Sequence, residues 1–175
     1  MSDVLLFGDS MVARLRKPHV QLLERELGAG CTVFTCATGG FDSSDGLARA
    51  PALGRLDWSV VVLSFGANDC APWKHVPLDQ FAANITGIVE AFAGARAVGF
   101  LPPTIREAVT SENGVRTNRE LDAYREVLRS AVGPGGCLET GAHIGTDGLA
   151  DDGLHLTSDS YMRLIPELAR VISGR

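Results

Sequence analysis

The sequence contains the residue types that form an activated nucleophile. A serine lies near its start, and an acidic residue and a histidine lie near its end. Ser10 ends the tripeptide Gly8-Asp9-Ser10, and Asp152 stands three positions before His155. A serine hydroxyl attacks a carbonyl when an imidazole takes its proton and a carboxylate holds that imidazole in one tautomer. A turn or 3₁₀ segment brings positions three apart to the same side. The pattern predicts acyl-group chemistry with Ser10 as nucleophile, His155 as base and Asp152 as the orienting group.

Other residues compete for these roles. Gly-Asp-Ser is by itself a common turn sequence. Asp151 is a rival for the orienting carboxylate, with a less suitable spacing from His155. The remaining histidines are His19 at a predicted helix start and His75 and His143 in predicted loops. Solitary histidines of this kind are more often structural than catalytic.

Acyl transfer also requires hydrogen-bond donors aimed at the oxyanion that develops on the carbonyl. The candidates are the Ser10 amide, the Gly40 amide and the side-chain amide of Asn68. Glycine leaves its N–H open to approach, and asparagine donates without adding charge. Each residue taken alone is more commonly a turn glycine or a loop-capping asparagine.

The elements that would position these residues alternate along the chain. Short β-rich runs and segments with a 3.6-residue apolar period predict βα units around a parallel sheet. The predicted strands are Val4–Phe7, Thr32–Cys36, Ser59–Phe65, Ala97–Leu101 and Gly136–Glu139. The predicted helices are Pro18–Leu27, Leu47–Leu53, Leu78–Ala93, one starting at Thr117, and Ser158–Ile172. Because ligands bind at the carboxyl ends of parallel strands, the segments that follow the first three strands should meet at one edge.

Four sequence blocks together resemble the SGNH/GDSL hydrolase family. They are Gly8-Asp9-Ser10, Gly40, Gly66-Ala67-Asn68-Asp69 and Asp152-Gly153-Leu154-His155, in this order across nearly the whole chain. The segment 40–51 further resembles the second block of bacterial thioesterase, lysophospholipase and arylesterase members. That alignment selects Gly40 over Gly39 as the oxyanion glycine.

The resemblance implies a flavodoxin-like three-layer α/β/α sandwich with a five-stranded parallel sheet. It also implies a mechanism without metal or cofactor, with Ser10, Gly40, Asn68 and His155 in the roles given above and Asp152 completing a catalytic triad. Two residues depart from the family pattern: Leu156 stands where proline is frequent, and Ser160 where glycine is frequent. We expect both to adjust the start of the last helix without removing chemistry.

Composition limits the class of protein. A chain of 175 residues is the usual size of one domain, which we assign to residues 1–175. The net charge of -5 and the scattered Lys and Arg argue against a nucleic-acid or anionic-membrane surface. No leader sequence and no membrane span is evident, so a cytoplasmic location is expected. The four cysteines lack metal-site spacing and are expected to be reduced and mostly buried.

The loops around the predicted site suggest pocket residues. Phe41, Cys70 and Trp73 are candidates for substrate binding, as is His75 more weakly, with surface packing as the alternative. The long polar segment 102–116 is predicted to be a binding loop or lid, or else mobile surface. Asp9 and Asp69 are expected to brace their own turns.

The sequence thus predicts a hydrolase of esters or thioesters with a small or medium acyl group, acting on a small molecule through a Ser10 acyl-enzyme. An acyltransferase that passes the acyl group to an alcohol or amine is the alternative. A non-catalytic ligand-binding relative is a third possibility, and the complete set of candidate residues argues against it. The sequence does not indicate an oligomeric state.

Overall fold

Five parallel strands form the centre of the molecule. The computed structural model describes residues 2–107, 114–133, 135–145 and 147–174. The strands are β1 (Ser2–Gly8), β2 (Cys31–Thr35), β3 (Val60–Ser64), β4 (Arg96–Leu101) and β5 (Cys137–Glu139). Their order in the sheet is β2-β1-β3-β4-β5, and every neighbouring pair is parallel.

The sheet is covered on both faces. Every residue of β3 is buried, as expected for a strand that packs against helices on either side. The helices are α1 (Ser10–Ala13), α2 (Lys17–Leu27), α3 (Ser43–Leu53), α4 (Leu78–Ala91), α5 (Asn118–Val132) and α6 (Ser158–Ser173). Helices α2 and α6 pack together, while α3, α4 and α5 form a second group. This confirms the predicted flavodoxin-like three-layer sandwich, whose strand order is typical of that fold.

None of the helices in the described part of the chain is long and apolar enough to cross a membrane.

The predicted elements are all present, with shifted ends. Helix α5 has Thr117 as its N-cap, and the Thr117 side chain accepts a hydrogen bond from the Glu120 amide at 3.2 Å. Helix α3 begins at Ser43, four residues before the predicted start. The reason is Asp42, whose side chain accepts hydrogen bonds from the Ser44 and Asp45 amides at 3.0 and 3.1 Å and caps an extra turn.

The chain at the end of β1, which contains the common turn sequence Gly8-Asp9-Ser10, does not form only a turn. Residues Ser10–Ala13 form the short helix α1, because the Asp9 side chain accepts a hydrogen bond from the Met11 amide at 2.9 Å and so caps its start. The predicted nucleophile therefore lies in the first turn of a helix.

The prediction for the cysteines is half right. All four are free, but only Cys70 is buried. Cys31 and Cys137 are half-buried and Cys36 is exposed. The physical reason is their place in the sheet, since these three lie on or directly after the edge strands β2 and β5, each of which has a single neighbour.

Candidate active site

The ends of β1, β2 and β3 bring the predicted site segments together. Gly8 ends β1 with φ near +150°, and a Cβ atom there would lie 2.1 Å from the Ser64 carbonyl oxygen. Only glycine allows this close approach. The next residue, Asp9, donates its amide hydrogen to the Ser64 carbonyl at 2.9 Å. The chain therefore turns tightly and places Ser10 at the carboxyl edge of the sheet, beside the switch in strand order between β1 and β3.

Ser10, His155 and Asp152 form one chain of hydrogen bonds. Nε2 of His155 lies 2.8 Å from Oγ of Ser10, although 145 positions separate the two residues. Nδ1 of His155 lies 2.6 Å from Oδ2 of Asp152. The other carboxylate oxygen of Asp152 accepts the amide hydrogens of His155 at 2.9 Å and Leu154 at 3.0 Å. The three-residue spacing thus brings the carboxylate to the imidazole as predicted.

The environment of Asp152 keeps its carboxylate ionised. Partial burial would raise its pKa, but hydrogen bonds from the backbone and side chain of His155 and from the Leu154 backbone outweigh this and lower the pKa to about 2. An ionised carboxylate accepts the Nδ1–H of the imidazole. Nε2 then has a free lone pair toward the Ser10 hydroxyl.

The competing residues lie elsewhere. Asp151 is exposed, and no hydrogen bond joins it to His155 among the described residues. His19 is buried, accepts the Arg16 amide hydrogen at Nδ1 and lies 3.1 Å from the Ser158 hydroxyl at Nε2. That is a structural role. His143 is near Glu167, and His75 is exposed in a strained turn with φ of 33°.

Three candidate oxyanion donors line the same cleft as Ser10 and His155. The amides of Ser10 and Gly40 have no acceptor within the residues that the structure describes. Nδ2 of Asn68 donates one hydrogen to the Phe41 carbonyl at 2.8 Å, which fixes the orientation of the amide and leaves its second hydrogen available. Gly39 also lines the cleft, so the preference for Gly40 continues to rest on the family alignment.

Two buried carboxyls brace these loops, as the sequence predicted for each. Asp69 accepts the amide hydrogen of Gly66 at 2.9 Å within its own turn, and that of Ser43 at 2.7 Å across to the start of α3. Burial raises the pKa of Asp69. Asp9 accepts hydrogen bonds from the Met11 amide and the Ser64 hydroxyl, both at 2.9 Å. The segments after β1, β2 and β3 are therefore tied to one another by side chains.

The cleft has a volume of about 670 Å³. Of the predicted pocket residues, Trp73 lines it, but Phe41, Cys70 and His75 do not. The Phe41 ring instead packs against the Arg49 guanidinium, 4.2 Å from the ring centroid. The Cys70 side chain is only 2% exposed. These three residues are therefore not part of the described cleft wall, because position in a loop does not determine which way a side chain points.

Sequence reasoning missed several residues of the cleft wall. They are Ala13, Arg14, Ile105, Arg106, Arg116 and Leu154. The predicted loop 102–116 does contribute to the wall, while its middle, residues 108–113, lies outside the described residues. The part of the chain that the structure covers contains no cluster of three His, Cys, Asp or Glu side chains able to hold a metal ion.

The parallel sheet and the cleft at its carboxyl edge define a doubly wound α/β architecture. A family model described as "GDSL-like Lipase/Acylhydrolase family" matches residues 6–163. The chain belongs to this family, as the four sequence blocks predicted, and is an enzyme of the class that acts on ester bonds.

Individual relatives agree with this assignment. The chain is 27% identical over 208 residues to the isoamyl acetate-hydrolyzing esterase 1 homolog of Mus musculus, an alignment that covers 98% of this chain and 83% of the relative. The Bos taurus homolog of that name is 29% identical over 167 residues, with 83% of this chain and 65% of the relative covered.

Solved structures share the fold. A lipase/acylhydrolase from Enterococcus faecalis superimposes with a TM-score of 0.83 at 24% identity, covering 100% of this chain and 97% of that one. Est24, a carbohydrate acetylesterase from Sinorhizobium meliloti, superimposes with a TM-score of 0.75 at 20% identity, covering 99% of both chains.

Proposed function

We propose that the protein hydrolyses carboxylic esters of small or medium acyl groups through a covalent acyl-enzyme on Ser10. The observation that carries the proposal is the pair of short contacts at His155, 2.8 Å to the Ser10 hydroxyl and 2.6 Å to the Asp152 carboxylate. This is the geometry that a serine nucleophile needs, with a base in reach of its proton and a carboxylate behind the base.

In the first half-reaction, Oγ of Ser10 attacks the ester carbonyl carbon while Nε2 of His155 takes the hydroxyl proton. The carbonyl oxygen becomes an oxyanion, which the amides of Ser10 and Gly40 and Nδ2 of Asn68 stabilise. The carbon–oxygen bond to the leaving alcohol breaks, and the imidazolium returns its proton to that alcohol. Asp152 stabilises the imidazolium through Nδ1 and holds the ring in place.

In the second half-reaction, water attacks the acyl-enzyme and gives a proton to His155. Collapse of the second tetrahedral intermediate releases the carboxylic acid, and Ser10 regains its proton from the imidazolium. The same donors serve both oxyanions, because the carbonyl oxygen occupies the same position in each intermediate.

The size of the cleft and the names of relatives support the substrate class. A volume of about 670 Å³ falls within the range of small-molecule sites. Relatives are named for hydrolysis of isoamyl acetate and for carbohydrate acetylesterase activity, which favours short acyl groups. A thioester presents the same carbonyl to Ser10 and belongs in the same substrate panel.

Transfer of the acyl group to another alcohol or amine would require that water be kept from the acyl-enzyme. The Asp152 side chain is 42% exposed beside the cleft, so solvent reaches the region of the base. This favours hydrolysis. The complete hydrogen-bonded set of Ser10, His155 and Asp152 likewise argues against a role limited to ligand binding.

The proposal is tested by replacing Ser10 with alanine and measuring hydrolysis of p-nitrophenyl esters of increasing acyl length, together with acetylated sugars and acyl thioesters. We expect kcat to fall by roughly 10³-fold or more with the melting temperature unchanged, since the variant removes only the nucleophile. Ser130→Ala, an exposed serine on α5, is the matched control and should retain full activity. Activity of Ser10→Ala within about tenfold of wild type would refute the nucleophile assignment.

A further inference from the structure

Arg116 is a buried cation in the wall of the candidate active site. Its side chain is only 7% exposed, yet it lines the same cleft as Ser10 and His155. Its guanidinium lies over the Trp73 ring, 5.0 Å from the ring centroid. Nε has no hydrogen-bond partner among the described residues, and no carboxylate in that part of the chain forms an ion pair with the guanidinium. Buried charges in proteins are normally paired, so this one lacks its expected counter-charge.

The ionisable groups with the strongest electrostatic effect on Arg116 do not supply a full counter-charge. They are the Cys70 thiol and the Asp9 carboxyl. Burial raises the pKa of Cys70 to about 12, so the thiol is neutral at physiological pH. Burial raises the pKa of Asp9 to about 7, so at physiological pH this carboxyl carries only part of a full negative charge. Burial also lowers the pKa of Arg116, but a guanidinium remains charged in proteins.

The rest of the cleft wall is also cationic. Arg14 and Arg106 line it as well, and Asp152 is the acidic residue among the described lining residues. The Asp152 carboxylate is already engaged by His155. Arg106 donates to the Leu149 and Ala150 carbonyls at 3.3 and 2.6 Å, which are polar but uncharged partners. A cleft lined in this way attracts a negatively charged ligand.

We infer that the preferred substrates are esters that carry a carboxylate in addition to the scissile ester, and that Arg116 binds this carboxylate and determines specificity. The inference rests on the proposed esterase function and names its substrate class. A planar guanidinium donates two parallel N–H groups to a carboxylate, and such pairs are strongest where water is excluded. Trp73 packs over the guanidinium, 5.0 Å from its ring centroid, and a carboxylate would bind along the guanidinium edge.

The test uses two pairs of esters that differ only in charge. p-Nitrophenyl hydrogen glutarate and its methyl ester carry or lack a carboxylate on the acyl side. p-Acetoxybenzoate and its methyl ester carry or lack a carboxylate on the alcohol side. We expect wild-type kcat/KM to favour the charged member of one pair, which identifies the side that Arg116 contacts. In Arg116→Gln the ratio of charged to neutral kcat/KM for that pair should fall by about tenfold or more, and Arg116→Lys should restore part of it.

Arg119→Gln is the matched control. It removes an exposed cation three residues away that does not line the cleft, so the ratio should stay at the wild-type value. An equal loss on both members of each pair in Arg116→Gln would show that Arg116 acts only on the fold, and would overturn the inference. An unchanged ratio would overturn it as well.

A second readout is independent of turnover. Glutarate should raise the melting temperature of Ser10→Ala, with a smaller rise at high salt, while neutral glutaramide should not. Absence of any shift by glutarate would contradict a carboxylate site on the acyl side, and benzoate tests the alcohol side in the same way. If carboxylates stabilise Ser10→Ala but the wild type hydrolyses no ester, the proposed function is refuted and the anion site is still supported.

Discussion

His155 is placed by three hydrogen bonds to two residues rather than by burial in a hydrophobic core. Its backbone amide and Nδ1 both bond to Asp152, and Nε2 bonds to Ser10. The sequence could predict this because positions three apart in a turn face the same side. It could not predict Arg116, since one arginine among scattered Lys and Arg residues has no local signature and its burial depends on packing against Trp73.

Asp9 supplies a pH-dependent contribution to stability at the residue scale. It is 1% exposed, one carboxyl oxygen has no hydrogen-bond partner among the described residues, and burial raises its pKa to about 7. Between the ordinary pKa of aspartate and about 7, the folded protein keeps a proton that the unfolded chain has released. The stabilisation from Asp9 is therefore fully present below the pKa that aspartate has in the unfolded chain, and it is lost as pH rises through about 7.

We expect the free energy of unfolding to fall less between about pH 5 and about pH 8 in Asp9→Asn than in the wild type, because asparagine does not ionise. The difference between the two proteins should be of order a few kcal/mol. Urea unfolding at both pH values measures it, and titrations of other groups cancel in the comparison. Equal pH dependence in the two proteins would show that Asp9 does not titrate in this range.

At the scale of elements, the loops after β2 and β3 act as one unit. The Asp69 carboxylate joins Gly66 to Ser43, and Nδ2 of Asn84 in α4 donates to the Ser43 hydroxyl at 2.9 Å. These bonds hold the Asn68 turn against the start of α3, close behind Gly40. The positions of Gly40 and Asn68 thus depend on the Asp69 carboxylate, which forms a hydrogen bond with neither of them.

Removal of that carboxylate should affect both stability and activity. In Asp69→Ala two buried amides lose their acceptor, which should lower the free energy of unfolding by about 2–5 kcal/mol and reduce kcat at temperatures where the variant is folded. Asp57→Ala is the control, since Asp57 is exposed. Chemical unfolding and ester hydrolysis measure the two effects. A fully active and fully stable Asp69→Ala protein would contradict the bracing role.

Sequence patterns predicted the long elements well and the short polar ones poorly. Helices α4, α5 and α6 carry apolar stripes over three or more turns, which makes their period visible. Helix α1 has four residues, too few to show a period. The early start of α3 was missed because its first turn is polar, yet the pair Asp42 and Asp45 forms a capping box that the sequence could have revealed.

At the scale of the whole molecule, the site depends on bringing the two ends of the chain together. Tyr161 of α6 is 2% exposed and donates its hydroxyl to the Met11 carbonyl at 2.7 Å. This bond connects the helix after His155 to the helix that holds Ser10. The sequence could not predict it, because the order of the strands had to be known before α6 could be placed beside α1.

Tyr161→Phe should lower the free energy of unfolding by about 1–3 kcal/mol, because the buried Met11 carbonyl loses its donor. It should also reduce kcat, since the bond holds α1 against the helix that follows His155. Tyr124→Phe is the matched variant. It loses a buried bond from its hydroxyl to the Val76 carbonyl at 2.6 Å, at a position that does not join the chain ends. If kcat falls no further in Tyr161→Phe than in Tyr124→Phe, the role of this bond in aligning the site is wrong.

The central claim is that the Ser10 hydroxyl is activated by His155. Labelling with a fluorophosphonate, followed by mass spectrometry of the peptides, tests it most directly because the reagent forms a stable bond only with an activated nucleophile. We expect a single adduct on the peptide that contains Ser10, no adduct in Ser10→Ala, and labelling slower by roughly 10²-fold or more in His155→Ala. An adduct on a different residue, or undiminished labelling in His155→Ala, would contradict the account.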